Sequence, residues 1–141
     1  MSAINFFAEE VEFDLKAEDE HCQWLYTVAE QEGYQIKELN YIFCSDEYLL
    51  KINQQYLNHD TYTDIITFDN SEEEAGLESD IFISIERIID NAGTMNTSFD
   101  EELRRVMVHG LLHLMGYADK SETDKTIMRD KEDSCISLYS K

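Results

Sequence analysis

Residues 64–84 read DIITFDNSEEEAGLESDIFIS. Two β-prone runs, DIITF (64–68) and DIFIS (80–84), flank an acidic stretch, NSEEEAG (70–76), that reads as a solvated turn. Runs this close in sequence on either side of a polar turn predict antiparallel neighbours in one sheet.

Working outward, residues 85–92 continue as a short helix. Ser98-Phe99-Asp100-Glu101 reads as a capping box, opening a helix through Leu103, Val106, Met107, Leu111, Leu112 and Leu114 to Gly116. Ser121-Glu122-Thr123-Asp124 is a weaker box before a last helix through Ile127, Met128 and Ile136. Upstream, Val11, Phe13 and Leu15 alternate with Glu12 and Asp14, the period of a half-buried strand. Residues 17–33 carry Trp24, Leu25, Val28 and Ala29 at helical spacing, with Gly33 suited to the position past the helix end. Residues 38–44 (ELNYIFC) read as a further strand, and Ser45 can cap a helix through Leu49, Leu50, Ile52 and Tyr56. The expected fold is α+β: one domain over 1–141, with a small mixed sheet of about four strands covered by about five helices.

The composition narrows the function classes. With 43% hydrophobic and 30% charged residues the chain should fold, and its net charge is −20. A charge this negative excludes simple nucleic-acid binding through a basic face and argues against an anionic membrane surface. No apolar run approaches the roughly 20 residues of a membrane span. The opening MSAINFFAEEVEFDL lacks the basic and apolar regions of a signal peptide. Cys22, Cys44 and Cys135 are odd in number, far apart and form no CxxC. They read as reduced core thiols of a cytoplasmic protein.

The chemistry centres on the end of the helix that opens at Ser98. His109 and His113 stand four residues apart, so both imidazoles lie on one helix face, about 6 Å apart along the axis. Gly116 follows three residues later and can turn the chain back, and Asp119 follows three residues after that. A helix thus supplies two nitrogens and the returning loop a carboxylate, a set that suits one zinc ion per chain with a coordination position left open. Two hydrogen-bonded core histidines are the bland alternative for the pair, and a turn or cap residue for Asp119.

These residues resemble the YbeY family of metal-dependent endoribonucleases. VHGLLHLMGYAD (108–119) is similar to the family's HGxLHLxGYDH. Residues 52–56 (INQQY) with 60–68 (DTYTDIITF) are similar to N-x-x-Y-R-x-K-D-x-P-T-D-V-L-S-F, and SDIFIS (79–84) resembles its G-D-I-x-I-S strand. The resemblance covers roughly residues 40 to 135. It implies a cytoplasmic metal-dependent single-strand endoribonuclease in late rRNA maturation and ribosome quality control, with zinc-bound water attacking an RNA phosphodiester. It implies rRNA or other single-stranded RNA as substrate, ribosomal proteins or the small ribosomal subunit as partners, and no membrane. The family's three metal histidines map onto His109, His113 and Asp119. Asp therefore replaces the third histidine, Leu57 stands where the family has an Arg, Tyr62 replaces a Pro and Ser79 a Gly.

Two other functions compete. A metzincin-type zinc peptidase shares the spacing but needs Glu directly after the first His, and here that residue is Gly110. A non-catalytic ribosome assembly factor would use the metal only to hold the loop. Seven of the eleven Lys and Arg residues lie from position 104 onward, so a local positive rim is expected, with Lys120, Lys125 and Arg129 as phosphate contacts. His59, two residues past Leu57, is a further candidate for that contact. Asp64, at the head of a strand, is the candidate catalytic carboxylate, placed to orient a water or a ligating His. His21 reads as a surface residue, and Tyr56, Tyr62 and Phe68 as core packing rather than base-stacking rings.

Overall fold

The computed structural model describes residues 3–56, 63–72 and 75–139. In chain order the elements are β1 (Ile4–Glu9), α1 (Glu18–Gln31), β2 (Gln35–Cys44), α2 (Asp46–Tyr56), β3 (Ile65–Asp69), β4 (Gly76–Ser84), α3 (Ile85–Met95), α4 (Phe99–Leu114) and α5 (Glu122–Ser137). The four strands form one mixed sheet in the order β1-β2-β4-β3. The β1–β2 and β2–β4 pairs are parallel, and β3–β4 is antiparallel. The expected α+β class and the antiparallel pairing across the acidic turn both hold.

The sheet is buried on two faces, because alternate residues of each strand point to opposite sides. One face carries Leu39, Tyr41 and Phe43 of β2 and Ile81 and Ile83 of β4, all at most 1% exposed. The main core lies here, with Trp24, Leu25 and Val28 of α1 and Val106, Met107 and Leu111 of α4. The opposite face holds a smaller cluster in which Leu49 and Ile52 of α2 join Ile66, with Phe68 and Phe82 against it. Two buried hydrogen bonds tie helices in place. Tyr41 Oη donates to the Met107 carbonyl at 2.9 Å, and Trp24 Nε1 donates to the Cys135 carbonyl at 2.6 Å.

The strand expected at Val11–Leu15 is instead irregular chain. The first strand lies earlier, and its ladder with β2 ends at Glu9↔Cys44, where β2 itself stops. Glu10 then takes φ 55°, so the chain leaves the sheet edge. The apolar alternation is still used: Leu15 is buried and the Phe13 ring packs edge-on to Phe43 at 5.0 Å. His21, read as a surface residue, is 5% exposed. Its Nδ1–H donates to the Ala17 carbonyl at 2.9 Å, and its ring lies 5.0 Å from Tyr139. Ile127, expected on the buried face of α5, is exposed, while Met128 and Cys135 are buried.

The helix caps form with one exchange. Ser121 and Asp124 make the full reciprocal box, whereas at α4 only the Ser98 half forms. There the Glu101 carboxylate accepts instead from the Thr97 hydroxyl. Ser45 Oγ accepts from the Tyr48 N–H at 3.1 Å, as expected for α2. No disulfide joins the cysteines, Cys44 and Cys135 are buried, and burial raises the Cys44 thiol to about 12 and the Cys135 thiol to about 11. No helix among the described residues is long and apolar enough to cross a membrane.

Candidate metal centre and adjoining clefts

His109 and His113 leave the same face of α4, and their Nε2 atoms lie 3.0 Å apart. Each Nδ1 already has an acceptor. His113 Nδ1–H donates to the Tyr117 carbonyl at 2.9 Å, and His109 Nδ1–H donates to Glu132 Oε2 at 2.6 Å. With both Nδ1 atoms protonated, both Nε2 atoms present lone pairs to the same point. Such a pair repels unless a proton or a cation sits between them. Asp119 Oδ2 lies 3.6 Å from His109 Nε2. The candidate ligand atoms of His109, His113 and Asp119 all fall within 4.8 Å of one another, close enough to share one metal ion. Two imidazoles and one carboxylate suit a borderline-soft divalent ion.

The turn that returns Asp119 depends on Gly116. Its φ is +99°, a conformation that side chains rarely adopt, and its N–H donates to the His113 carbonyl at 3.1 Å. The loop is braced from outside: Tyr117 Oη donates to Glu32 Oε1 at 2.7 Å, and Lys131 pairs with the other Glu32 oxygen at 2.6 Å. Gly110 serves packing. A Cβ there meets Ile65 Cδ1 at 2.9 Å and Ile81 Cδ1 at 3.3 Å, so α4 lies directly on the sheet. The position where a metzincin needs its glutamate is therefore filled by neighbouring side chains.

Glu132 escaped the reading of the sequence, in which Arg105 counted only among the basic residues of the expected positive rim. Glu132 lies on α5, 5% exposed, between His109 and Arg105, whose guanidinium donates to Glu132 Oε1 at 2.9 Å and to Asp133 at 2.6 Å. A carboxylate on the buried stripe Met128-Glu132-Cys135 was the available signal, because an unpaired Glu is almost never found in such a place. Burial works to lower the His109 imidazole, but hydrogen bonding to Glu132 and the charges of Glu132, Asp119 and Asp64 outweigh it and hold it above its ordinary value. Burial, with His109 beside it, lowers His113. The two histidines are thus electrostatically unlike, although the sequence presents them alike.

His109 borders two clefts. The first, about 460 Å³, runs between α3, α4 and α5 and is lined by Asp64, Glu102, Arg105, Asp119, Lys125 and Arg129 among others. The second, about 490 Å³, is lined by Asn53, Thr63, Thr67, Asp69 and His113 among others. Asp64 occupies the first cleft as a half-buried carboxyl. Its backbone carbonyl accepts from the Ser84 N–H at 3.0 Å, and Oδ2 accepts from the Asn91 amide at 3.4 Å. Burial raises it above the usual carboxylate range, against the pull of His109. Of the expected cationic contacts, Lys125 and Arg129 line this cleft; Lys120 is exposed beside Asp119 and does not line it. His59, Leu57 and Tyr62 lie outside the described residues. Tyr56, expected in the core, is 68% exposed, with its ring edge-on to Phe68 at 5.8 Å.

The chain is similar to known proteins over nearly its whole length. The family model described as endoribonuclease YbeY matches residues 3–140. "Endoribonuclease YbeY" of Cytophaga hutchinsonii is 55% identical over 135 residues, covering 96% of this chain and 94% of the relative. That of Christiangramia forsetii is 49% identical over 136 residues, covering 96% and 94%. The solution structure of TM1509 from Thermotoga maritima superposes with a TM-score of 0.68 at 25% identity, covering 96% of this chain and 88% of that one. A match spanning nearly the whole fold, with the paired histidines and the returning carboxylate inside it, places this chain in the YbeY endoribonuclease family.

Proposed function

We propose that this chain is a zinc-dependent single-strand endoribonuclease of late rRNA maturation and ribosome quality control, with His109, His113 and Asp119 holding one zinc ion per chain. The observation that carries the reading is the facing pair of Nε2 atoms, 3.0 Å apart, with both Nδ1 atoms committed elsewhere. When bound, such a metal supplies Lewis acidity to a phosphate oxygen and acidity to water. Glu132 holds the His109 tautomer, and the Tyr117 carbonyl does the same for His113. Asp64, half-buried at the head of β3, orients the attacking water and takes up its proton. Lys125 and Arg129 hold the RNA backbone in the first cleft.

The net charge of −20 repels RNA at long range, so the encounter relies on these few cations and on a partner. The small ribosomal subunit, in the cytoplasm, is that partner. The test is metal analysis of the purified protein followed by nuclease assays on single-stranded RNA with and without chelator. About one zinc per chain, activity lost to chelation, and loss of both in His109→Ala are expected. Full zinc content in His109→Ala overturns the ligand assignment. A fold that loosens on chelation, with no RNA cleavage under any metal, favours a non-catalytic role in which the metal only holds the loop.

A further inference from the structure

The first cleft holds a buried ionisable group that the metal centre does not use. Glu102 lies on α4, 4% exposed, and its Oε1 has no hydrogen-bond partner among the described residues. Two cations among the described residues face it: Arg105 is engaged by Glu132 and Asp133, and Arg129 makes no hydrogen bond to Oε1. Asn91 is likewise turned to Asp64. A buried carboxyl oxygen without a donor is costly and calls for a ligand or a proton.

The rest of the cleft indicates which ligand. Beside Glu102 lie Val106 and Met128, both buried, and Ile65 and Met95 complete the apolar lining. Branched aliphatic and thioether side chains of this kind suit the faces of a planar ring. Lys125 and Arg129 are exposed at the mouth, where phosphates would lie, and His109 and Asp119 border the same cleft. A deep carboxylate, apolar walls and cations at the mouth match one nucleotide with its base inserted.

We propose that this cleft is a base-reading subsite that takes guanine from single-stranded RNA, with Glu102 accepting from the base N1–H and its exocyclic N2 amine. The proposal rests on the nuclease reading above. Guanine alone among the four bases offers two adjacent N–H donors at the spacing of the two oxygens of a carboxylate. Adenine and cytosine set a ring-nitrogen lone pair beside their amine, and uracil flanks its N–H with carbonyls, so each brings a repulsion. The terminal torsion of Glu is broad, so the carboxyl can turn both oxygens to the base without leaving a rotamer well.

The experiment uses metal-free full-length protein, so that binding is read without cleavage. The probes are fluorescently labelled pentanucleotides with four uridines and a central guanosine, inosine, adenosine or uridine. Guanosine should bind about ten-fold tighter or more than adenosine or uridine, with inosine, which lacks the N2 amine, in between. The isosteric Glu102→Gln, and Glu102→Leu should the first prove misfolded by thermal melting, should bring the guanosine-to-uridine ratio close to one. Chemical shifts of the Met95 and Met128 methyl groups should move with the guanosine probe. Equal binding of all probes by the wild type, or a guanosine preference that survives in the folded Glu102 variant, overturns the proposal. Cleavage of RNA by zinc-loaded protein is recorded alongside. If cleavage persists without guanine preference, only the subsite fails; if neither cleavage nor binding is seen for any RNA, the nuclease reading beneath it fails as well.

Discussion

Glu132 Oε2 sits 2.6 Å from His109 Nδ1, and the other oxygen of the same carboxylate sits 2.9 Å from Arg105. An anion thus buttresses one imidazole of the candidate metal site from behind, while the other, His113, leans on the neutral carbonyl of Tyr117. The carboxylate fixes the His109 tautomer and makes Nε2 a stronger donor to a cation. Glu132→Gln keeps an acceptor in place and removes the charge. It should weaken zinc binding by about 10–100-fold, read by competition with a chelator of known affinity. An unchanged zinc affinity would assign Glu132 to packing alone.

The cations proposed to contact phosphate divide into cleft-lining residues and others on the surface. Lys125 and Arg129 line the first cleft and Lys120 does not. Replacing Lys125 and Arg129 with Glu should weaken single-stranded RNA binding. It should also flatten the plot of log affinity against log salt by about 0.7 for each phosphate that is no longer neutralised. Lys120→Glu should leave the slope near that of the wild type. Titrations at several salt concentrations decide this, and a larger slope change for Lys120 than for the pair would move the RNA path to the outer surface.

Gly116 is held at φ +99° with open space around its Cα. The cost of a side chain there is therefore backbone strain rather than collision. Gly116→Val should lower stability by on the order of 1–2 kcal/mol or more and reduce metal content by displacing Asp119. Thermal melting and metal analysis check both parts. An unaltered melting temperature and full zinc content would show that the turn tolerates another conformation.

His21 gives a pH dependence with a definite sign. Burial is the largest influence and lowers its pKa from 6.5 in the folded protein; Arg104 adds to that, while the Ala17 carbonyl, Asp100 and Glu20 oppose it. The unfolded chain therefore binds the proton more readily than the folded one. His21 stabilises the fold above about pH 6.5, and this contribution is lost as pH falls through the depressed folded value. In His21→Gln the fall in stability between pH 7 and 5 should be shallower than in the wild type, measured by denaturant unfolding at each pH. Parallel profiles would mean that the proton finds His21 without cost.

Gly110 tests why α4 lies so close to the sheet. Gly110→Ala brings a methyl group to 2.9 Å from Ile65 Cδ1, the mobile end of a half-buried side chain. A loss of about 1 kcal/mol is expected, since Ile65 can give way. Denaturant midpoints measure it, and a loss of several kcal/mol would show that the backbone rather than Ile65 must move.

Local information in the sequence determined the helices, the antiparallel pair around the acidic turn and the three candidate ligands. Capping residues, apolar period and the spacing His109-x-x-x-His113-x-x-Gly116-x-x-Asp119 act within a few residues of themselves, so a single stretch of chain is enough to read them. The failures share the opposite property. Val11–Leu15 alternates like a strand, but a strand needs a partner, and β2 ends where that partner was required. His21 looked like an exposed residue of an acidic helix start until Tyr139, from the far end of the chain, covered it. Glu132 and Glu102 differ from the chain's many solvated carboxylates only in what the packing of α4 and α5 places beside them. One is given His109 and Arg105, and the other keeps an oxygen with no hydrogen-bond partner among the described residues. Burial and the pairing of charges across elements are set by residues distant in sequence, which is why the tertiary structure alone decided that Glu132 and Glu102 lie buried beside the candidate site.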